Sequence, residues 1–194
     1  MALRRRGLVT VGAAVACCAL TSACTPDPAP GATPSPTPVS AAPTESQIER
    51  EIRLDYEAAE AAYRASTSEQ NRLYRAGGAT KASPELKATT TGSYLRITLQ
   101  SLRDVHKSGW SARGTTKIAG VARDGGWKSA RLGLISCEDN NSLRFFDRKG
   151  KDVTPKAERR YVQKLTVVKV AHRWKVSMAG STRVSSFEGQ QCVA

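Results

Sequence analysis

Apolar residues recur at helical spacing in the first segment after residue 45. They follow one another at intervals of four, four, three and four residues, as Ile48, Ile52, Tyr56, Ala59 and Tyr63. This spacing places them on one face of an amphipathic helix whose other face carries Glu and Arg. Ser46, with Glu49 three residues later, forms a capping box that begins the helix. We interpret the apolar stripe as a face that packs against a core.

Two further helical segments follow, separated by residues that break a helix. Gly77-Gly78 ends the first pattern, and Ser83-Pro84 restarts it with a capping serine and a proline in the first turn. The sequence Thr-Thr-Thr-Gly over residues 89–92 interrupts the second segment. A third helix begins near Ser93 and ends at Gly109, a natural C-terminal stop. Its apolar positions are Leu95, Leu99, Leu102 and Val105.

After Trp110 the pattern changes to the alternation that is typical of strands. We predict a first strand that ends at the turn Asp124-Gly125-Gly126, and a tight turn at His172-Arg173. The five predicted strands are Thr115–Val121, Trp127–Cys137, Ser142–Asp147, Tyr161–Ala171 and Trp174–Ala179. Helices followed by strands with short connections predict an α+β domain over residues 45–194, with the helices packed on a curved antiparallel sheet.

The first 23 residues have the pattern of a bacterial lipoprotein signal peptide. Three arginines (Arg4, Arg5 and Arg6) precede an uncharged apolar run, and small residues precede Cys24. The segment resembles the lipobox of bacterial lipoproteins, with Thr21 where leucine is usual. It therefore predicts cleavage before Cys24 and attachment of a diacylglyceryl group, with further acylation such as palmitate. The alternative is an ordinary cleaved signal whose cysteines are incidental.

Residues 24–44 are predicted to be a disordered linker that follows the lipid anchor. Seven of the nine prolines lie here, mixed with Ala, Ser and Thr, and Asp27 is the single charged residue. Such a composition cannot bury a core and favours extended polyproline II. A linker of this length could hold the domain roughly 60 Å from the membrane.

Basic residues dominate the charge of the chain, which is +13 at neutral pH. Export argues against nucleic acid as the partner, so we consider an anionic lipid or an acidic wall polymer instead. The alternative is that the positive charge only keeps the domain soluble. The candidate residues for contact with an anionic surface are Arg148, Lys149, Lys151, Lys156, Arg159 and Arg160.

Apart from Cys24, the exported chain contains two cysteines, Cys137 and Cys192. In an oxidising compartment two cysteines most simply form one disulfide, which here pins the C-terminal tail. A metal site needs more ligands than two thiols, and neither His106 nor His172 has the spacing of a metal ligand. We therefore predict a disulfide and no metal.

The sequence offers no convincing catalytic set, and we predict neither an enzyme nor a cofactor. Asp104 and His106 are two residues apart on a helix and so point to different faces. Asp139 precedes Asn140 and Asn141 in what reads as a turn. No Gly-x-Ser-x-Gly sequence or phosphate-binding glycine loop is present.

The order of elements resembles the cone-shaped domains of the nuclear transport factor two superfamily. The resemblance rests on the order of helices and strands and on three short segments, Gly109-Trp110, Cys137-Glu138-Asp139 and Arg173-Trp174-Lys175-Val176. Together with the signal, it is similar to exported actinobacterial lipoproteins of unknown function. The superfamily includes isomerases and dehydratases as well as noncatalytic subunits of secretion machines, so the resemblance implies a fold and not an activity.

These observations predict a membrane-anchored, extracytoplasmic lipoprotein that acts as a noncatalytic binding or scaffolding module, and a protein in an envelope complex is one candidate partner. The alternatives are a protein that binds a small apolar ligand in the cone, and an enzyme of the isomerase or dehydratase type. An interior filled with Leu, Val and Ile would favour a scaffold. A hollow apolar interior would favour a ligand site, and a hollow interior with a buried acid would favour an enzyme. The aromatic residues that could line the mouth are Tyr56, Tyr63, Tyr94, Trp110 and Trp127.

Overall fold

The helices come first along the chain and the strands follow. The computed structural model describes residues 45–156 and 159–192. The signal peptide over 1–23, the lipid attachment at Cys24 and the linker over 24–44 lie outside the described residues. The elements are α1 (Gln47–Arg75), α2 (Pro84–Thr89), α3 (Gly92–Ser108), β1 (Ser111–Arg113), β2 (Lys117–Lys128), β3 (Arg131–Asp139), β4 (Arg144–Phe146), β5 (Arg160–Val170) and β6 (Arg173–Val184). No helix within the described ranges is long and apolar enough to cross a membrane.

The three helices begin and end where the local signals predict. Ser46 caps α1 in a complete capping box with Glu49, and the Ser83 side chain accepts a hydrogen bond from the Leu86 amide at the start of α2. Helix α3 ends at Gly109, which adopts a left-handed conformation (φ 66°). Such a conformation strains any residue with a side chain, so glycine is the natural stop.

Four strands form an antiparallel sheet in the order β2-β3-β5-β6, and β1 pairs with β4 in a separate two-stranded sheet. Register shifts in β2 and between Thr166 and Val167 add local twist and bend the sheet. The predicted class, helices packed on a curved antiparallel sheet, is therefore confirmed.

Several bounds of the predicted strands are wrong, and the second tight turn lies at Ala171-His172 instead of His172-Arg173. Asp124-Gly125-Gly126 does not end the first strand, because these residues form an irregularity inside β2, with Gly125 at φ 76°. The turn instead lies at Ser129-Ala130, after which β3 begins. Strand β1 was not predicted, since three residues are too few to show alternation.

The inner face of the sheet packs against α1 and forms the main core. Tyr63, Val167 and Val176 are completely buried in it. The same cluster contains Tyr56, Ala59, Leu132, Leu134, Leu165 and Trp174. The interpretation of the α1 stripe as a packing face is thus correct from Tyr56 onward, whereas Ile48 is 58% exposed.

The outer face of the sheet is covered in part by the C-terminal tail. Cys137 on β3 and Cys192 form the predicted disulfide, with their Cα atoms 5.7 Å apart. The two cysteines lie in a small apolar cluster with Ile135, Val162 and Phe187. The disulfide and Phe187 together hold the tail across β3 and β5.

Candidate functional site

A small polar cleft remains open where α1 and α3 meet β5 and β6. Its volume is about 260 Å³. The wall on the helix side carries two tyrosines, Tyr74 and Tyr94, whose hydroxyl groups bond to Ser101 (2.8 Å) and Gln70 (3.1 Å). The remaining residues that line it are Ile97, Thr98, Gln163, Ala179 and Ser181. The cleft therefore presents hydroxyl and amide groups with some apolar surface, and no charged side chain lines it.

A buried carboxyl group lies behind the floor of this cleft. Glu138 on β3 is 6% exposed; it accepts hydrogen bonds from the Tyr63 hydroxyl and from the Gln163 side-chain amide. Ser136 Oγ lies 2.9 Å from the same hydroxyl. Burial raises the pKa of Glu138, and the two donors offset only part of that rise. Gln163 thus connects the buried acid to the cleft, but Glu138 itself does not reach the cleft.

The tyrosines around this acid stay protonated. Burial and the neighbouring Glu138 carboxyl raise the pKa of Tyr63 well above its usual value. Burial, again with Glu138, raises the pKa of Tyr94 to about 12. Groups with such pKa values act as hydrogen-bond donors at neutral pH and not as bases. The cleft is therefore suited to hydrogen bonding with a neutral ligand.

A second buried acid, on α1, connects this helix to strands β2, β5 and β6 at the other end of the sheet. Asp55 accepts hydrogen bonds from the indoles of Trp127 (2.9 Å) and Trp174 (3.1 Å), and its other partner is the Lys169 ammonium group at 3.0 Å. Burial acts to raise the pKa of Asp55, but these donors outweigh it and the pKa lies below its usual value. Asp55 thus binds all three of the other side chains, and these contacts within the group indicate a structural role.

The structure divides the basic residues that the sequence analysis grouped together. Arg148, Lys149 and Lys151 are exposed around the turn after β4. Lys156 lies elsewhere, in a recess of about 280 Å³ that Arg144 and Arg159 also line.

Arg159 and Arg160 are half-buried and are hydrogen-bonded to carbonyl oxygens. Arg159 Nη1 donates to Leu143 O at 2.6 Å, and Arg160 Nη1 donates to Ser185 O at 2.8 Å. Arg160 also forms an ion pair with Asp139. Both arginines therefore help to hold loops in place, and replacing them would disturb the fold.

The other residues considered from the sequence have mixed positions. His106 and His172 are exposed, and within the ranges described no three His, Cys, Asp or Glu side chains lie close enough to hold a metal ion. Of the aromatic candidates, Tyr56 and Tyr63 are core residues and Tyr94 alone lines the cleft. Trp127 is bound to Asp55, and Trp110 is half-buried.

The sequence analysis missed Glu138 and Gln163. One signal could have found the first: Ser136 and Glu138 continue the alternation that starts at Leu132 and Leu134, so they face the same side of β3. The predicted turn at Asp139 favoured an exposed position for this segment, whereas Glu138 still belongs to β3 and is buried.

No family model matches this chain, and no curated protein matches it. Solved structures show a similarity of fold. The intermembrane space region of the chloroplast protein ARC6 is 11% identical with a TM-score of 0.45, covering 66% of this chain and 96% of that one. An NTF2-like protein with a cystatin-like fold from Novosphingobium aromaticivorans is 9% identical with a TM-score of 0.41, covering 74% and 94%. A domain of unknown function with a cystatin-like fold from Nostoc punctiforme is 17% identical with a TM-score of 0.36, covering 71% and 82%. No function follows from these similarities.

Proposed function

We propose that this protein is a noncatalytic binding module, anchored by a lipid on Cys24 at the extracytoplasmic face of the cell membrane. The observation that carries the proposal is the filled interior. Leu134, Val167 and Val176 lie at the centre of the inner sheet face and are at most 2% exposed. Because side chains fill this part of the interior, a partner has to bind on the surface or in the cleft between α3 and the sheet.

The disulfide and the basic surface support the same function. A disulfide between Cys137 and Cys192 suits an oxidising compartment. The exposed cations Arg148, Lys149 and Lys151 would meet anionic lipid or wall polymer near the membrane. In this mechanism the lipid fixes the location, the linker over 24–44 sets the reach, and the domain supplies the contact.

The intact mass of the protein from the membrane fraction of a bacterial host that lipidates lipoproteins tests the anchor. We expect the mass of residues 24–194 with a diacylglyceryl group, with or without one more acyl chain. The matched variant Cys24→Ala should lose the added mass and leave the membrane fraction. A wild-type product without lipid, or one cleaved at another residue, would contradict the proposal.

The cleft favours a second candidate function, the binding of a small neutral ligand. Its hydroxyl and amide lining fits a polar molecule better than the apolar one that the sequence suggested. Native mass spectrometry of the same sample would detect a ligand that copurifies. We expect Gln163→Leu to keep the fold and to lose the mass of the ligand. If the wild-type protein carries no mass beyond that of its own chain and lipid, this candidate function is wrong.

A further inference from the structure

An open groove crosses the outer face of the sheet beside the C-terminal tail. The tail covers Ile135, Cys137 and Val162, and the groove occupies the part of the face that it leaves uncovered. Its volume is about 660 Å³. Strands β2, β3, β5 and β6 all contribute to it, so the groove belongs to the sheet itself and not to a loop.

Three cations from three different strands surround this groove. Lys128 ends β2, Arg131 begins β3 and Lys164 lies in β5, and all three line the groove with exposed side chains. None forms a hydrogen bond or an ion pair with another residue that the structure describes. Asp124 is the one acid in the lining. Three cations and one acid leave the groove with an excess of positive charge.

The strand register sets the distance between the cations at the two ends of the groove. Lys128 is paired with Arg131, so these two cations share one end. Arg131 is opposite Val168, and Lys164 lies four residues away from Val168 along β5. Four residues of a strand span about 13 Å. A single phosphate is too small to satisfy both ends, whereas a chain with repeated anionic groups can lie between them.

Two glycines line the groove together with Thr166 and Met178: Gly133 lies between the two ends, and Gly180 is paired with Lys164 at one of them. Gly133 has to be glycine, because a Cβ atom there would lie 2.3 Å from the Asp124 carbonyl oxygen. Gly180 has no such reason, since a Cβ atom at this position would meet nothing within 4 Å. Glycine weakens a strand and often marks a place where a ligand comes close to the backbone. Packing thus explains Gly133 but not Gly180, and the open space above Gly180 would let a ligand approach the backbone.

We propose that this groove binds a flexible phosphodiester polymer of the cell wall. The inference rests on the proposed function, which places the domain outside the membrane. A concave groove admits a single chain to its floor, whereas a flat lipid surface would reach only its rim. An acidic peptide would gain most by pairing with a sheet edge, but the groove lies on a face where the backbone groups are already paired. Arg and Lys both bind phosphate oxygens well.

The test uses the membrane-purified protein in a neutral detergent and an oligomer of glycerol phosphate as the probe. Replacing Lys128, Arg131 and Lys164 with glutamine should raise the Kd about tenfold, since three exposed charge contacts are lost. The matched control replaces Lys81, Arg96 and Lys107 with glutamine, which removes the same residue types from exposed positions outside the sheet. The control should change the Kd much less. Equal losses in the two variants would overturn the proposal.

A variant without any change of charge tests the groove itself. Gly180→Leu should fill the floor, raise the Kd several-fold and leave the thermal stability unchanged or higher, because leucine suits a strand better than glycine. Normal binding by this variant would also overturn the proposal. Equal affinity for poly-glutamate would overturn it too, since that result indicates an acidic peptide. If the glutamine variants lost affinity only for phosphatidylglycerol vesicles, the partner would be a lipid surface, and the proposal would again be wrong. A lipidated protein that does not bind the probe refutes the groove and leaves the proposed anchor intact.

Discussion

The two buried acids show how neighbouring donors decide the state of a carboxyl group. Glu138 and Asp55 are almost equally inaccessible, 6% and 7% exposed. Asp55 receives an ammonium group and two indoles, and its pKa falls. Glu138 receives only a phenol and an amide, and burial raises its pKa. Three donors, the Trp127 indole, the Lys169 ammonium group and the Trp174 indole, together outweigh burial at Asp55, whereas the two neutral donors at Glu138 do not.

The raised pKa of Glu138 predicts a pH-dependent loss of stability. Its folded pKa lies above the ordinary value of 4.5, so the folded protein holds a proton that the unfolded chain has released. This group therefore destabilises the fold as the pH rises above about 4.5 through the folded pKa. Glu138→Gln stays neutral and should remove that loss. The Tm of the wild type should fall relative to that of the variant as the pH rises from 4.5 through the folded pKa, and a constant difference would contradict the prediction.

At the scale of elements, the sequence predicts what depends on neighbours along the chain. The caps at Ser46, Ser83 and Gly109 act within one helical turn, so their residues suffice to place the helix ends. The irregularity at Asp124-Gly125-Gly126 could not be predicted in this way. A glycine with positive φ serves a turn and a bulge equally, and only the pairing with β3 decides between them.

The two capping serines of α1 and α2 offer a matched comparison. Ser46 is exposed and bonds only to Glu49 and its amide. Ser83 accepts from the Leu86 amide and also donates to Glu69 on α1 at 2.7 Å, thereby joining two helices. Ser46→Ala should cost about 1 kcal/mol of unfolding free energy, and Ser83→Ala about 2 kcal/mol. Urea denaturation measures both, and equal losses would show that the contact with Glu69 adds nothing.

The candidate sites depend on pairing between strands, which explains why the sequence showed them poorly. Lys164 lies 33 residues after Arg131 in the sequence and comes close to Arg131 and Lys128 only through the register of β3 and β5. Conversely, Lys156 and Arg160 are close to Lys151 in sequence but do not join the exposed turn. A run of basic residues in the sequence is therefore a weak guide to a basic surface in an antiparallel sheet.

At the scale of the whole molecule, one covalent bond closes the structure. The disulfide joins residues that are 55 apart in sequence, and a loop of this size stabilises a fold by about 2–4 kcal/mol through the unfolded chain. The double variant Cys137→Ala and Cys192→Ala should lose about that much in urea denaturation. It should also show faster amide exchange over residues 185–192. Reduction of the wild type should reproduce both effects, and an unchanged midpoint in the variant would exclude a stabilising role.

The N-terminal turns of α1 give the domain a mechanical property. The helix is exposed through Glu51, and its first buried side chain, Asp55, is held by Trp127 and Trp174. Tension applied through the preceding chain would therefore unwind α1 from its start; half-buried Ile52 would be the first core contact to yield, and Asp55 is the first fully buried side chain. Extending the eight residues before Asp55 would add about 15 Å to the length of the chain that precedes the folded domain. The first turns of α1 would thus yield under load before the sheet does, because fewer buried contacts hold them.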